Sequence, residues 1–164
     1  MNGVASGNDQ VKLMFYASDI LTSNGMQLGK HYKQHGEVCC YEHSLAVACM
    51  SIKIATFFRM RTDMRSLIRG ALLQDYFLYD WHQADESHRL HGFSHAKRAL
   101  KNAEHDFSLT EMERDIIEKH MFPMNPSLPR YWESVVVNVA DKICAFREVF
   151  AWVLPSARTG GKPL

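Results

Sequence analysis

The sequence predicts an all-α fold, and three observations support that prediction. Apolar residues recur at helical spacing along most of the 164 residues. The only run of β-branched residues, Val135 to Val139, lies inside a longer segment that also follows a helical period. No Asn-Gly or Asp-Gly turn separates two alternating segments, as a hairpin would require. We therefore expect a helical bundle.

The length of the chain favours a single domain. A chain of 164 residues can fill one core well but is too short for two comfortable domains. We expect one domain over residues 1–164, with a helical N-terminal extension at 1–34, a core at 35–153 and a frayed tail at 154–164. No internal repeat or linker divides this span.

Three elements are predicted before residue 61. The first helix spans about Asp9 to Leu21 and ends near the turn residues 23–25. A short helical or irregular piece carries His31 and His35. A longer helix then runs from about Val38 to Met60, with apolar residues on more than one face.

Four further helices are predicted, and residues at their ends indicate where they begin. Thr62 can cap the first of them, and Thr110 with Glu113 forms a capping-box pattern. Pro129 suits the first turn of the last helix. The predicted ranges are Thr62 to Asp75, Gly92 to Ala103, Thr110 to His120 and Arg130 to Val153.

The composition argues against several function classes. The formal charge is +1, so electrostatics alone gives no ground for binding to nucleic acid or to an anionic membrane. The N-terminus lacks an apolar leader and no stretch is long enough to cross a bilayer, so we expect a cytoplasmic protein. The four cysteines form no Cys-x-x-Cys pair, which predicts reduced thiols and no cysteine-ligated zinc.

Three polar residues lie among small or apolar helical neighbours. They are His43, Asp75 and Asp141, each on a different predicted helix. Each alone has an ordinary explanation: a hydrogen-bonded core histidine, or a carboxylate that is paired with an arginine or caps a helix. A buried carboxylate is costly unless a cation, a metal or several donors satisfy it. Together the three predict polar ligands that meet in one interior.

The segments around these residues resemble a known family. "YEHSLAVA" contains His43, "RGALLQD" contains Asp75 and "VNVADKICA" contains Asp141. In this order they look like the H…HD…D motifs of the HD superfamily of metal-dependent phosphohydrolases, over about residues 35–150. The resemblance implies an all-α bundle with a metal site in its core. It makes His43, Asp75 and Asp141 metal ligands.

The resemblance also implies a second metal. "LHGFSHAKRALKNA" is similar to the family's HPxxG/AxxxL helix, which makes His95 a ligand and His91, one turn earlier, its competitor. His120, at the end of "IIEKHMFP", matches a further ligating histidine of two-metal members. Neither the double histidine nor the GYP motif of the cyclic-di-GMP phosphodiesterase branch follows His120. That branch's substrate is therefore not expected here.

These residues predict a phosphohydrolase with one or two divalent transition metals. Imidazole and carboxylate donors suit Fe, Mn, Zn, Ni or Co, and paired metals can share a hydroxide nucleophile. Asp75 and Asp141 would supply the negative charge and act in catalysis. Lys142 and Arg130 are candidates for binding phosphate. We expect the substrate to be a nucleotide or another small phosphoester.

Gln74 departs from the family pattern, because a histidine ligand should precede Asp75. A carboxamide oxygen is a weaker donor to a transition metal than an imidazole nitrogen. The chain is then an enzyme with a weakened metal site, a degenerate member that only binds a ligand, or an active enzyme whose histidine was replaced deliberately to trap substrate. A di-iron oxygenase is a further alternative, because related helical proteins use a similar ligand set.

Aromatic and histidine residues near the motifs have two interpretations. Tyr76, Phe77, Tyr79 and Trp81 could stack a nucleobase, although aromatic residues beside a helix end more often fill a core. His31 and His35 have the i, i+4 spacing of a metal pair, but no nearby acid completes a site. We expect these two histidines at the surface, near the mouth of a pocket.

Overall fold

The described part of the chain is built almost entirely from helices. The computed structural model describes residues 7–78 and 91–153, without the side chains of residues 91–94. These ranges contain α1 (Gly7–Leu21), α2 (Asn24–Leu28), α3 (Cys40–Phe57), α4 (Met64–Leu73), α5 (His91–Asp106), α6 (Glu111–Lys119) and α7 (Trp132–Val153). A short antiparallel hairpin joins β1 (Lys33–His35) to β2 (Val38–Cys39). The all-α prediction is confirmed.

Two predicted boundaries before residue 61 are wrong because of the hairpin. The helix expected from Val38 begins at Cys40, since Val38 and Cys39 pair with β1. His35 lies in β1 and not in a helical piece. A strand of three residues is too short to show an alternating pattern, so the sequence carried little signal for it.

The ends of the later helices test the predicted caps. Asp63, and not Thr62, caps α4, because its carboxylate accepts from the backbone N–H groups of Arg65 and Ser66. The capping box of Thr110 and Glu113 at α6 is confirmed. α7 begins at Trp132, so Pro129 precedes the helix and does not lie in its first turn.

α4 lies at the centre of the packing. Every residue from Ser66 to Leu73 is buried, and the helix contacts α1, α3, α6 and α7. Gly70 allows the close approach of α6, because a Cβ at this position would lie 2.7 Å from side-chain atoms of Ile116. The end of α4 is therefore held deep within the bundle.

A group of charged side chains, the ion cluster, also holds α4 in place. The buried Arg69 guanidinium donates to Asp19 of α1 at 2.7 Å and to Glu113 of α6 at 3.0 Å. Arg65 donates to the same Glu113 carboxylate at 3.2 Å. The guanidinium hydrogen bonds lower the pKa of Asp19 against the opposing effect of its burial. The ion cluster thus joins three helices through matched charges.

No helix among the described residues is both long enough and apolar enough to cross a bilayer. None of the four cysteines, all of which the structure describes, forms a disulfide, and Cys40, Cys49 and Cys144 are buried. The tail at 154–164 lies outside the described residues.

Candidate metal centre

Two polar residues at the end of α4 start the site. α4 ends at Leu73, and Gln74 follows as its C-cap with helical backbone angles. The buried Leu72 and Leu73 anchor this end, so Gln74 and Asp75 enter the interior. Gln74 is 0 % exposed and Asp75 is 5 % exposed. A carboxylate at this depth requires partners of its own.

Asp75 lies between two groups of side chains, one at each carboxylate oxygen. Its Oδ2 accepts a hydrogen bond from Gln34 Nε2 at 2.8 Å and lies 3.5 Å from His43 Nε2. Its Oδ1 lies 3.5 Å from His95 Nε2 and 3.6 Å from His120 Nε2. The carboxylate can therefore belong to both groups at once.

The first group contains His43 of α3, Asp75 and Asp141 of α7, and their donor atoms lie close enough to share one ion. His43 Nε2 is 3.1 Å from Asp141 Oδ1. On the other side of the ring, His43 Nδ1–H donates to Glu148 Oε2 at 2.8 Å. Glu148 thereby fixes the orientation of the ring and directs Nε2 into the group.

Protons stabilise the first group when no metal is bound. Burial lowers the pKa of His43, but the hydrogen bonds to Asp141 and Glu148 outweigh it and raise the pKa to about 10. Burial raises the pKa of Asp141, while the hydrogen bond from His43 lowers it to about 2. An imidazolium at His43 therefore supplies the positive charge that the two carboxylates need.

The second group contains Asp75, His95 of α5 and His120, which follows α6. His120 Nδ1–H donates to the carbonyl of Ile117 at 2.8 Å, so in the neutral ring the Nε2 lone pair faces the group. Burial lowers the pKa of His120, which favours that neutral ring. The ring edge of Phe77 packs on His95, with centroids 5.9 Å apart. Both imidazoles are thus held in fixed positions.

The distances between donor atoms fit a shared ion. Ligand bonds of about 2.1 Å place neighbouring donors roughly 3.0 Å apart in an octahedral shell and roughly 3.4 Å apart in a tetrahedral one. The first group has separations of 3.1 and 3.5 Å. The second has 3.0 Å between its imidazole nitrogens and 3.5 and 3.6 Å to Asp75. Little rearrangement would bring either group around a cation.

Two oxygen atoms at the site lack hydrogen-bond partners. Gln74 Oε1 and Asp75 Oδ1 are the only buried side-chain nitrogen or oxygen atoms without a hydrogen-bond partner among the described side chains, those of residues 7–78 and 95–153. Buried acceptors without a donor are rare in native proteins and call for an explanation such as an ion. Asp75 Oδ1 faces the imidazoles of His95 and His120, and the carboxamide that carries Gln74 Oε1 is hydrogen-bonded to Asp141 through its nitrogen. The site therefore fits a bound metal.

Comparisons with protein-family models, curated proteins and solved structures found no match. The chemistry of the site is therefore argued from the residues themselves.

The structure brings together five of the predicted ligands: His43, Asp75, His95, His120 and Asp141. They come from α3, the end of α4, α5, the end of α6 and α7. The side chain of His91 lies outside the described residues, so its predicted part in the site stays a prediction.

The two predicted phosphate ligands lie in different surroundings. The Lys142 ammonium donates to the carbonyl of His120 at 3.0 Å, which places it at the edge of the second group. Burial lowers the pKa of Lys142, and the charge of Asp141 opposes this effect. Arg130 is exposed, and its backbone N–H donates to Asp115 Oδ2 at 2.9 Å. Phosphate binding by either residue stays a prediction.

Three residues near the site had no predicted role there. Gln34 of β1 donates to Asp75, Glu148 of α7 accepts from His43, and the half-buried His35 packs edge-on against His43 with ring centroids 5.3 Å apart. Glu148 lies seven residues after Asp141, and this spacing of two helical turns was a usable signal. Gln34 carried no comparable signal.

The aromatic residues after Asp75 are core residues where the structure describes them. Tyr76 and Phe77 are buried, and the Tyr76 hydroxyl donates to Asp106 at 2.8 Å. Tyr79 and Trp81 lie outside the described residues. His31 is exposed, as expected, but the expected surface position is wrong for His35, which is half-buried against His43.

Proposed function

We propose that this protein is a metal-dependent phosphohydrolase that acts on a nucleotide or another small phosphoester. The observation that carries the proposal is Asp75, whose two oxygens lie in two adjoining groups of buried histidine and aspartate side chains. A carboxylate in this position is typical of two-metal hydrolytic sites. The order of the H…D…D residues, which resembles the HD superfamily, supports the same reaction class.

The charges of the ligand set suit an anionic substrate. Asp75 and Asp141 carry two negative charges, while the three histidines are neutral when they act as ligands. Two dications would leave the site with an excess of positive charge, which would attract phosphate oxygens. When bound, such ions polarise the phosphoryl group and lower the pKa of water so that hydroxide forms near neutral pH.

The most accessible part of the site lies along α7. The side chains of Asp141 and Glu148 are 11 % and 12 % exposed, whereas that of His43 is 0 % exposed. A substrate would therefore approach past α7. Lys142 is on this helix and next to Asp141, and its ammonium is our candidate for binding a phosphate oxygen.

Activity measurements on matched variants test the proposal. We expect the Mn²⁺-loaded protein to hydrolyse phosphoesters in a panel of p-nitrophenyl phosphate and nucleoside monophosphates, and Asp75→Asn to abolish this activity. Gln74→His should raise the rate if the carboxamide weakens the site. Circular dichroism would show that both variants keep their fold.

The same panel separates the proposal from the alternative of a protein that only binds a ligand. Saturable nucleotide binding without turnover, in both the wild-type protein and Gln74→His, would support that alternative and overturn the phosphohydrolase. Absence of activity and of metal binding in both proteins would overturn any metal-dependent function.

A further inference from the structure

We propose that Gln74 is a metal ligand through its carboxamide oxygen, and that this oxygen shifts the preference of the first group from Zn²⁺ toward Mn²⁺, relative to a histidine at the same position. The inference rests on the proposed metal centre and deepens it. Gln74 then selects the metal, and its position in the site does not lack a ligand.

The position of the Gln74 side chain is the first argument. The residue is 0 % exposed, and its Nε2 donates to Asp141 Oδ1 at 3.3 Å. His43 Nε2 lies 3.1 Å from the same oxygen. The carboxamide therefore lies at the first group, beside the atoms that would hold an ion there.

The unpaired Oε1 is the second argument. It lacks a hydrogen-bond partner among the described residues, although it is fully buried. Native proteins seldom leave a buried carbonyl without a donor or an ion, because water would otherwise solvate it. Turning the amide by half a rotation exchanges Oε1 with Nε2, which lies 3.3 Å from Asp141 Oδ1, and a cation in the first group would then satisfy the oxygen.

The length of the side chain is consistent with this role. The path from Cα to Oε1 in glutamine contains as many bonds as the path from Cα to Nε2 in histidine. A carboxamide oxygen can thus reach about as far from α4 as a ligating imidazole nitrogen would. Glutamine in place of histidine therefore changes the donor atom from nitrogen to oxygen but keeps its distance from the backbone.

The donor chemistry gives the preference. With Gln74, the first group offers one imidazole nitrogen from His43 and oxygen donors from Gln74, Asp75 and Asp141. Carbonyl and carboxylate oxygens suit Mg²⁺ and Mn²⁺, whereas imidazole suits Zn²⁺, Fe²⁺ and Ni²⁺. The second group has two imidazole nitrogens, from His95 and His120, and should therefore favour Zn²⁺ more strongly than the first group does.

Metal titrations on matched variants test this inference without measuring activity. Free Mn²⁺ can be followed by electron paramagnetic resonance, with Zn²⁺ added as the competitor. Gln74→Met keeps an unbranched side chain of similar volume but lacks a hard oxygen donor, and we expect at least a tenfold loss of Mn²⁺ affinity. Gln74→His should shift the preference toward Zn²⁺ by at least tenfold. His120→Gln, in the second group, should leave the Gln74 dependence unchanged.

The outcomes separate this inference from the proposed function. If Gln74→Met binds Mn²⁺ as tightly as the wild-type protein, Gln74 is not a ligand, although the metal centre stands. An unchanged ratio of Mn²⁺ to Zn²⁺ affinity in Gln74→His would also overturn the inference. If the wild-type protein and Gln74→His bind neither metal, the metal centre and this inference both fail.

A second inference concerns a different surface, and we propose that it is the contact between two copies of this chain. The α7 face consists of six outward-facing apolar residues, spaced three or four positions apart: Trp132, Val135, Val139, Ile143, Phe146 and Phe150. Trp132 is 72 % exposed and Phe146 is 71 % exposed. Phe146 and Phe150 stack with ring centroids 6.0 Å apart, so the surface is continuous there.

The size of the α7 face matches what a dimer needs. The opposite side of the helix is packed in the bundle, with Val137, Ala140 and the polar Asp141 among its buried residues. Contiguous exposed apolar patches of more than a few hundred Å² mark interaction sites. The exposed area of the six residues is on the order of 600 Å², given the size of aromatic side chains. Two such faces would bury roughly 1,200 Å², the lower end of specific interfaces.

The geometry of a single helix favours a second copy as the partner. A two-fold contact places the same stripe against itself, which satisfies both faces at once. The spacing of three and four residues is that of helix pairs that pack along one seam. α7, with 22 residues, supplies a seam about 33 Å long.

Sedimentation equilibrium on two charge variants tests the dimer. We expect the wild-type protein to be a dimer and Phe146→Glu to be a monomer with unchanged circular dichroism. Phe57→Glu is the control, because Phe57 is 79 % exposed but lies at the end of α3. It should remain a dimer. A monomeric wild-type protein, or a Phe146→Glu variant that remains a dimer, would overturn this inference.

Discussion

α4 contributes to two buried polar clusters that differ in how their charges are satisfied. In the ion cluster, the Arg69 guanidinium bonds both Asp19 and Glu113. In the metal centre, the ion pairs of Asp75 are all with histidines, and one carboxylate oxygen has no hydrogen bond. Arginines supply permanent cations to the ion cluster, whereas the metal centre depends on the His43 imidazolium, whose proton a bound metal would displace.

The difference indicates which buried charges hold the fold and which are available for a ligand. Buried carboxylates are tolerated when a fixed cation and hydrogen bonds compensate for lost hydration. Arg69 meets this condition for Glu113, which also accepts from the Thr110 N–H at 2.8 Å. Asp75 meets it only at Oδ2, through Gln34 and the His43 imidazolium, while Oδ1 has no hydrogen-bond partner and is available to a cation from outside the chain. Both clusters can be tested by removing one member of each.

The largest expected effect is on the ion cluster. Arg69→Met should lower the free energy of unfolding by about 3–5 kcal/mol, because it leaves the buried Glu113 carboxylate without its main cation. Arg65→Met is the control, since its side chain is 47 % exposed and should contribute less than about 1 kcal/mol. Urea unfolding would measure both. Equal losses of unfolding free energy in Arg69→Met and Arg65→Met would contradict the expectation that Arg69 is the main cation for Glu113.

At the metal centre, removing the charge of Asp75 should change the free energy of unfolding little when no metal is bound. Asp75→Asn can still accept the bond from Gln34, and its amide can donate where Oδ1 has no partner. We expect its unfolding free energy to lie within about 1 kcal/mol of the wild-type value. Mn²⁺ at a hundred times its dissociation constant should stabilise the wild-type protein by about 2.7 kcal/mol and the variant not at all. A large loss in metal-free Asp75→Asn would show that Asp75 is structural.

Glu148 should affect metal affinity indirectly, through its hydrogen bond with His43. Glu148→Gln weakens the acceptor for the His43 Nδ1–H, and loss of such a hydrogen bond to a ligating imidazole lowers metal affinity by roughly 10–100-fold. Isothermal titration with Mn²⁺ would measure the loss. Glu104→Gln, on the surface of α5, should leave the affinity unchanged. An unchanged affinity in Glu148→Gln would show that the carboxylate does not orient the ligand.

The smallest expected effect is that of a single pH unit on metal affinity. The pKa of His43 is about 10 in the metal-free fold, above its ordinary value of 6.5. The stability that this proton provides is therefore fully present below pH 6.5 and is lost as the pH rises through about 10. Since a metal must displace the same proton, its affinity should rise by up to about tenfold per pH unit between pH 7 and 10. Titrations in buffers of different ionisation enthalpy should show about one proton released at this site. An affinity that levels off above pH 7 would contradict this assignment.

Most of the helices, and the ligands that lie on them or at their ends, could be predicted from the sequence. His43, Asp75 and Asp141 each interrupt an apolar helical pattern, and such interruptions remain visible without coordinates. The cap of α4 was missed because Thr62 and Asp63 are adjacent and both suit an N-cap. Which of the two side chains reaches the free N–H groups depends on backbone angles that the sequence does not show.

The supporting residues of the site were harder to predict. Gln34 reaches Asp75 from a strand of three residues, across 41 positions of the chain. No local period indicates such a contact. Glu148 is charged and near a helix end, where most acids are solvated. Its contact with His43 depends on the packing of α3 against α7.

Metal stoichiometry tests the central claim most directly. The wild-type protein, Asp75→Asn and Arg69→Met would be incubated with Mn²⁺ and dialysed, and their metal content measured by mass spectrometry. We predict one or two ions per chain in the wild-type protein and none in Asp75→Asn. Arg69→Met should retain its metal under conditions in which it is folded. Absence of metal from the wild-type protein, or equal metal content in the wild-type protein and Asp75→Asn, would contradict the claim that the metal centre binds a cation from outside the chain.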